Sequence, residues 1–200
     1  LIWPRLIDTL LGSLIAGLAV FLILPDWQGR RLNKVLANTL TCNSIYLRQI
    51  MQQYAAGKSD DLAYRLARRN AHNADAALST TLANMLMEPG HFRKEADVGF
   101  RFLVLSHTLL SYLSGLGAHR ETRLPDEVRE QLIEGAGVKL AASIDEIAQG
   151  LASKQPIAIQ SDEEEALAAE LEQMPDEIDE GLRLVQTQLG LICRQLGPLR

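Results

Sequence analysis

The chain contains few cysteines, few aromatic residues and no excess of basic charge. Its two cysteines, Cys42 and Cys193, lie far apart and match no metal-ligand spacing, so we expect both to be reduced and buried. A disulfide between them has no motif in its favour. Aromatic residues make up 5% of the chain and alternating β-branched runs are scarce, a composition typical of packed helices. The net charge of −5 argues against a nucleic-acid-binding protein, which needs a basic surface.

Motifs for metal binding and catalysis are also absent from the sequence. The histidines form no His-x-x-x-His or Glu-x-x-His pair; they are His72, His91, His107 and His119. No glycine-rich phosphate-binding loop follows a strand, and no serine stands in a nucleophile elbow. We therefore predict that the protein is not an enzyme and that it holds neither a metal nor a cofactor.

One long apolar run, residues 6–24, lies near the start of the chain between two proline-containing flanks. As a helix it would measure about 28 Å, close to the hydrocarbon thickness of a bilayer. It is apolar on every face except at Asp8, Thr9 and Ser13. Such a helix suits lipid and neighbouring helices better than one side of a soluble core.

Two other interpretations compete with a membrane span. A buried core helix of a soluble protein would spare Asp8 the cost of entering lipid. A cleaved signal peptide fits less well, because the chain opens on Leu1 and no small-residue cleavage site precedes Pro25. We predict that residues 1–25 form a transmembrane helix.

Basic residues follow the apolar run closely and predict its orientation. Arg30, Arg31 and Lys34 come directly after Trp27, which stands where an interfacial aromatic residue would. Short flanks rich in lysine and arginine stay in the cytoplasm. We therefore expect the residues after about 26 to be cytoplasmic.

The rest of the chain predicts six helices joined by short loops, at 26–56, 61–87, 92–116, 125–152, 161–173 and 176–196. A second span over 98–110 is disfavoured, because Arg101 and His107 lie inside that stretch. The fold predicted is all-α: one transmembrane helix followed by an antiparallel cytoplasmic helical bundle, residues 26–200. The apolar stripes of the first and last of the six helices are Leu32, Val35, Leu36, Thr39, Leu40, Asn43, Tyr46, Leu47, Ile50 and Tyr54, and Ile178, Leu182, Val185, Leu189, Ile192 and Leu196.

Local signals predict where some of these helices begin and end. Ser59 or Asp60 is expected to cap the helix that starts near 61. Gly197-Pro198 is expected to end the last helix, because proline cannot donate a backbone hydrogen bond.

Polar residues of the first helix are the first candidate site. Arg5 and Asp8 are three residues apart and lie on one face, and Thr9 and Gly12 extend an adjoining face of small groups. An Arg5–Asp8 ion pair across one turn can serve helix packing alone. Alternatively, Asp8 titrates or Arg5 meets an anionic substrate, since ionisable residues in spans face a bundle interior or a water-filled path.

A polar stretch in the third helix is the second candidate, a cytoplasmic polar layer or interface made of Arg65, Arg68, Arg69, Asn70, His72, Asn73 and Asp75. Asn70 is expected to interrupt a buried stripe formed by Leu62, Leu66, Ala74, Ala77 and Thr81, where it would need hydrogen-bond partners. The basic residues beside it either hold an anion or acidic partner or form a solvated or intersubunit layer.

Two segments resemble a known family. Residues 5–16, with the pattern Arg-x-x-Asp-Thr-x-x-Gly-x-x-x-Ala, resemble the fusaric acid resistance (FUSC) family of bacterial inner-membrane proteins. The stretch Pro25-Asp26-Trp27-Gln28 and residues 68–79 look like its YccS/YhfK-type subgroup. The likeness covers the whole chain, as the last membrane helix of a membrane half plus the C-terminal cytoplasmic domain.

This resemblance implies a larger, oligomeric protein, with a homodimer favoured. Its partners would be membrane lipid and the remaining transmembrane helices of the same protein. It also implies efflux of aromatic or other organic acids, with Arg5, Asp8, Thr9 and Gly12 as transport or gating candidates. The alternative is a membrane-anchored scaffold whose helical bundle binds a partner.

Overall fold

The computed structural model describes residues 2–22, 28–56, 61–87, 93–119, 126–154, 161–173 and 180–199. Within these residues every regular element is a helix: α1 Ile2–Leu22, α2 Gln28–Ala56, α3 Leu62–Met85, α4 Arg93–Ala118, α5 Asp126–Arg129, a π-helix Glu130–Gly137, α6 Val138–Ser153, α7 Ser161–Glu172 and α8 Glu180–Leu199. The all-α prediction is confirmed.

The predicted span, residues 1–25, extends beyond α1, and positions 1 and 23–25 lie outside the described residues. Across the described part of the chain, no helix is both long enough and apolar enough to cross a bilayer.

Three helix boundaries differ from the sequence predictions. Asp61, rather than Ser59 or Asp60, caps α3: its Oδ1 accepts a hydrogen bond from the N–H of Ala63 at 2.9 Å. The predicted helix 125–152 is divided by the π-helix into α5 and α6. The last helix does not end at Gly197-Pro198 but continues to Leu199, because the buried Leu199 side chain holds the final turn against the core.

Successive long helices from α2 onward run antiparallel and enclose one leucine-rich core. The Thr39 hydroxyl of α2 donates to the carbonyl of Ala74 in α3 at 3.4 Å, one point at which these helices meet. Gln195 of α8 donates to the carbonyl of Leu105 in α4 at 3.4 Å. The predicted stripe of α2 is buried apart from the half-buried Val35, and that of α8 is buried from Leu182 onward; Ile178 lies outside the described residues.

An ion pair and a serine hydroxyl that binds both helices join α2 to α6. Arg48 Nη2 lies 2.6 Å from Asp145 Oδ2, and Arg48 Nη1 donates to Ser44 Oγ at 2.8 Å. Ser44 in turn donates to the carbonyl of Ala141 at 3.2 Å. Both charged side chains are partly exposed, so the pair fixes geometry more than it adds stability.

Three buried tyrosines gather beneath the C-terminal end of α4. Tyr54 Oη donates to the carbonyl of Leu116 at 2.8 Å, and Tyr64 Oη donates to that of Gly117 at 3.4 Å. Tyr46 Oη lies 3.4 Å from Tyr64 Oη. Two of these phenols therefore bind carbonyls in the last turn of α4, where the Leu116 carbonyl also accepts a hydrogen bond from the N–H of His119 at 3.3 Å. Burial, followed by the hydrogen bond to Tyr64, raises the pKa of Tyr46.

That raised pKa makes the bundle sensitive to alkali. The Tyr46 phenol ionises near pH 10 in the unfolded chain but stays neutral to higher pH in the folded one. Its contribution to the free energy of unfolding is thus fully present below about pH 10 and falls above it, by up to roughly 1.4 kcal/mol per pH unit. The free energy of unfolding of Tyr46→Phe should consequently decrease less between neutral and strongly alkaline pH than that of the unmodified protein. Urea denaturation at both pH values measures this difference, and equal decreases would contradict the assignment.

Candidate functional site

The candidate residues of α1 share one side of a continuous helix. Ile2–Leu22 is helical throughout, so Arg5, Asp8, Thr9 and Gly12 follow one another along the same face. The Thr9 hydroxyl donates to the carbonyl of Arg5 at 2.8 Å, and the Ser13 hydroxyl donates to that of Thr9 at 2.9 Å. Both hydroxyls are therefore hydrogen-bonded within the helix, the condition that polar groups must meet in lipid.

The two charged residues of this face are exposed and do not pair. Within the described residues, Arg5 and Asp8 form no ion pair with each other, so the predicted clamp across one turn is not present in the structure. Both charges remain available to water, to another segment or to an ion.

Apolar side chains cover most of the other faces of α1, and the large ones described between positions 6 and 18 are exposed as well. Seven aliphatic residues between positions 6 and 18 are about half exposed, from 48% at Leu18 to 63% at Ile15. A Cβ added at Gly12 or Gly17 would meet no atom within 4 Å. The core contains no α1 residue among those described and begins at Leu32 in α2. The structure therefore gives no support to the alternative of a buried helix in a soluble core.

The polar stretch of α3 is divided between two surroundings. Its exposed members are Arg65, Arg68, Arg69, Asn70, His72 and Asn73. Asp75 points toward α4 instead, where its Oδ2 lies 3.0 Å from Nδ1 of the exposed His107. The stretch therefore combines an exposed outer surface with an interhelical contact at Asp75.

The predicted buried stripe of α3 is wrong for four of its six residues; only Ala74 and Thr81 are buried. Leu62, Leu66, Asn70 and Ala77 are exposed. The residues that face the core are Tyr64, Ala67, Ala71, Ala74, Leu78, Thr81, Leu82 and Met85. Alanines lie on every side of this helix, so apolar periodicity identifies its inner face poorly. The alanines that do face inward allow α2 to approach closely enough for the Thr39–Ala74 hydrogen bond.

The buried asparagine of the bundle is Asn43 of α2, and not Asn70. Asn43 is fully buried, and neither Oδ1 nor Nδ2 has a hydrogen-bond partner among the described residues. Ser106 Oγ of α4 and Asp75 Oδ1 of α3 are likewise buried without a partner. Each such group costs about 1–3 kcal/mol. The spacing of residues in α2 predicts that Asn43 lies on the buried face, but it does not predict that the amide lacks a hydrogen-bond partner.

Among the described residues, no three His, Cys, Asp or Glu side chains converge to hold a metal ion. Neither cysteine forms a disulfide, and burial raises the pKa of the half-buried Cys42, which keeps its thiol protonated.

Comparison with known proteins identifies relatives of this chain. It is 47% identical over 132 residues (66% of the chain) to an uncharacterized protein of Haemophilus influenzae, and 47% identical over 125 residues (62%) to inner membrane protein YccS of Escherichia coli. It is 35% identical over 114 residues (56%) to the uncharacterized protein ORF2 of Neisseria gonorrhoeae.

The chain corresponds to only part of these relatives, spanning 18%, 17% and 27% of their lengths in the same order. No protein-family profile matches it, and no solved structure matches it either. The extent and level of identity to YccS agree with the resemblance carried by residues 5–16 and 68–79. The chain is therefore a relative of the YccS-type (FUSC) proteins over 62–66% of its own length.

Proposed function

We propose that this chain is the C-terminal part of a bacterial inner-membrane efflux protein for aromatic or other organic acids. In this proposal α1 is the last membrane helix of a membrane half, and the bundle from α2 onward is a cytoplasmic domain for assembly or regulation. The observation that carries it is the exposed apolar surface of α1 with its charged face of Arg5 and Asp8. The relative named as an inner membrane protein supports the location.

The two surfaces of α1 suit two different neighbours. The leucines and isoleucines suit lipid, and the internally bonded Thr9 and Ser13 add no unsatisfied hydroxyl. The face with Arg5, Asp8 and Gly12 suits other membrane helices of the whole protein, because small residues permit close packing and charges in spans avoid lipid. There Arg5 can bind the carboxylate of an organic acid, and Asp8 can accept and release a proton.

The test is Asp8→Asn in the complete protein, with Ser13→Ala on the same helix as the matched control. We expect Asp8→Asn to reduce proton-dependent transport of an aromatic carboxylate into inverted membrane vesicles at least tenfold, a difference of about 1.4 kcal/mol in the barrier. Subunit assembly, measured by size-exclusion chromatography, should be unchanged, and Ser13→Ala should retain export.

Other outcomes of that experiment would favour the second candidate function, a membrane-anchored scaffold. Unchanged export, or an assembly that dissociates, would mean that Asp8 serves packing. One observation favours this candidate: the outer surface of α3 places exposed Leu62 and Leu66 beside Arg65 and Arg69, a combination suited to an acidic protein partner or a second subunit.

A further inference from the structure

Three helix ends meet at one end of the bundle, which we call the proximal end: the start of α2, the end of α3 and the start of α4. Gly99 of α4 marks the meeting point. A Cβ at this position would collide with the Leu82 side chain of α3 and would lie 3.4 Å from Cδ2 of Leu32 in α2. The opposite end of the bundle, which we call the distal end, contains the start of α3 and the end of α4, joined by the Tyr64–Gly117 hydrogen bond.

Chain connectivity keeps the proximal end close to α1. Five residues separate Leu22, the end of α1, from Gln28, the start of α2. Even fully extended, such a connection spans only about 20 Å. The 29 residues of α2 extend roughly 43 Å from Gln28. The distal end of the bundle is therefore farther from the end of α1 than this connection can span.

The proximal end presents apolar and basic side chains together. Leu86, Met87 and Val98 are 57%, 89% and 66% exposed. At the same end of the bundle, Arg31 and Lys34 of α2 and Arg101 of α4 are exposed, with the acidic Asp97 beside Val98. Apolar side chains bordered by lysine and arginine are the composition of surfaces that lie in a bilayer interface.

We propose that the proximal end docks onto the anionic surface of the bilayer that holds α1. Leu86, Met87 and Val98 enter the headgroup region, and the exposed basic residues meet anionic lipid headgroups. This inference rests on the proposed function, because it requires α1 to lie in the membrane. The two claims can nevertheless be tested separately.

The experiment places a polarity-sensitive fluorophore on one cysteine at a time in the 200-residue chain, with Cys42→Ala as background and the buried Cys193 retained. The labelled variants are Leu14→Cys in α1, Met87→Cys at the proximal end and Leu62→Cys at the distal end. Leu62 is the matched control, because it too is exposed and apolar and it lies close in sequence to arginines of α3. The chain is reconstituted in vesicles of phosphatidylcholine and phosphatidylglycerol that carry a lipid-attached quencher.

We expect strong quenching at positions 14 and 87 and several-fold weaker quenching at position 62. Combining Arg31→Gln, Lys34→Gln and Arg101→Gln should reduce quenching at 87, whereas Arg65→Gln, Arg68→Gln and Arg69→Gln together should not. Quenching at 14 with equal, weak quenching at 87 and 62 would overturn docking and leave the membrane anchor standing. A label at 14 that remains in water would overturn both claims.

Discussion

Replacing Leu14 and Ile15 with lysine should release the chain from membranes. The two residues stand at the centre of the apolar run and are among the most exposed of α1, 60% and 63%. Each exchange adds about 3–4 kcal/mol to the cost of inserting the helix, so the pair shifts the insertion equilibrium by several orders of magnitude. Carbonate extraction of membranes, followed by immunoblotting of the pellet and supernatant, measures the release.

The matched control exchanges two exposed leucines of another helix. Leu62→Lys and Leu66→Lys in α3 make the same chemical change on the outside of the bundle. This variant should stay in the membrane pellet. If the α1 variant also stayed there, the association of the chain with membranes would not depend on α1, and the anchor assigned to it would be wrong.

Gly117→Ala should destabilise the bundle more than any other glycine-to-alanine exchange near the end of α4. The added Cβ would stand 2.7 Å from Tyr64 Oη and 2.9 Å from Tyr46 Oη. Both hydroxyls belong to rigid, buried rings, so at least one ring must move and give up its hydrogen bond. We expect a loss of about 2–3 kcal/mol, a decrease of roughly 4–10 °C in Tm.

Gly115→Ala, one half-turn earlier, is the control for this prediction. Its Cβ would lie 3.5 Å from the Gln188 side chain, an ordinary contact. Alanine is also the better helix former, so Gly115→Ala should be neutral or stabilising by up to about 1 kcal/mol. Adding Tyr46→Phe to Gly117→Ala should restore part of the lost stability. Urea denaturation followed by circular dichroism measures all three variants, and a Gly117→Ala protein as stable as the unmodified one would contradict the assignment.

The sequence predicted the buried face of a helix well where the apolar residues are large, and poorly where the apolar residues are alanines. In α2 the leucines, isoleucine and tyrosines recur at three- and four-residue steps, and the predicted face is the buried one. In α3 the alanines provide no contrast between faces, so the predicted stripe through Leu62 and Leu66 lies on the outside. Packing against α2, which no local pattern records, decides the orientation of this helix.

The candidate site shows the same division between local and tertiary information. The spacing of Arg5, Asp8 and Gly12 on one helix follows from the sequence alone. The Asp75–His107 contact joins residues 32 positions apart, so the spacing within α3 could not reveal it. The tyrosine cluster was missed for the same reason, because Tyr54 and Leu116 lie 62 positions apart and meet only when α2 and α4 pack.

The π-helix before α6 corrects a mismatch between sequence and core. One row of buried residues there recurs at four-residue intervals, namely Leu132, Ala136, Leu140, Ile144 and Ala148, with the buried Ala141 and Ile147 beside it. On a uniform α-helix each four-residue step overshoots a full turn by about 40°, so such a row winds steadily away from its neighbour. The i→i+5 bonding of residues 130–137 fits more residues into each turn. The wider turns of the π-helix thus keep Leu132 and Ala136 on the same side as the later residues of the row, and the whole row faces the core.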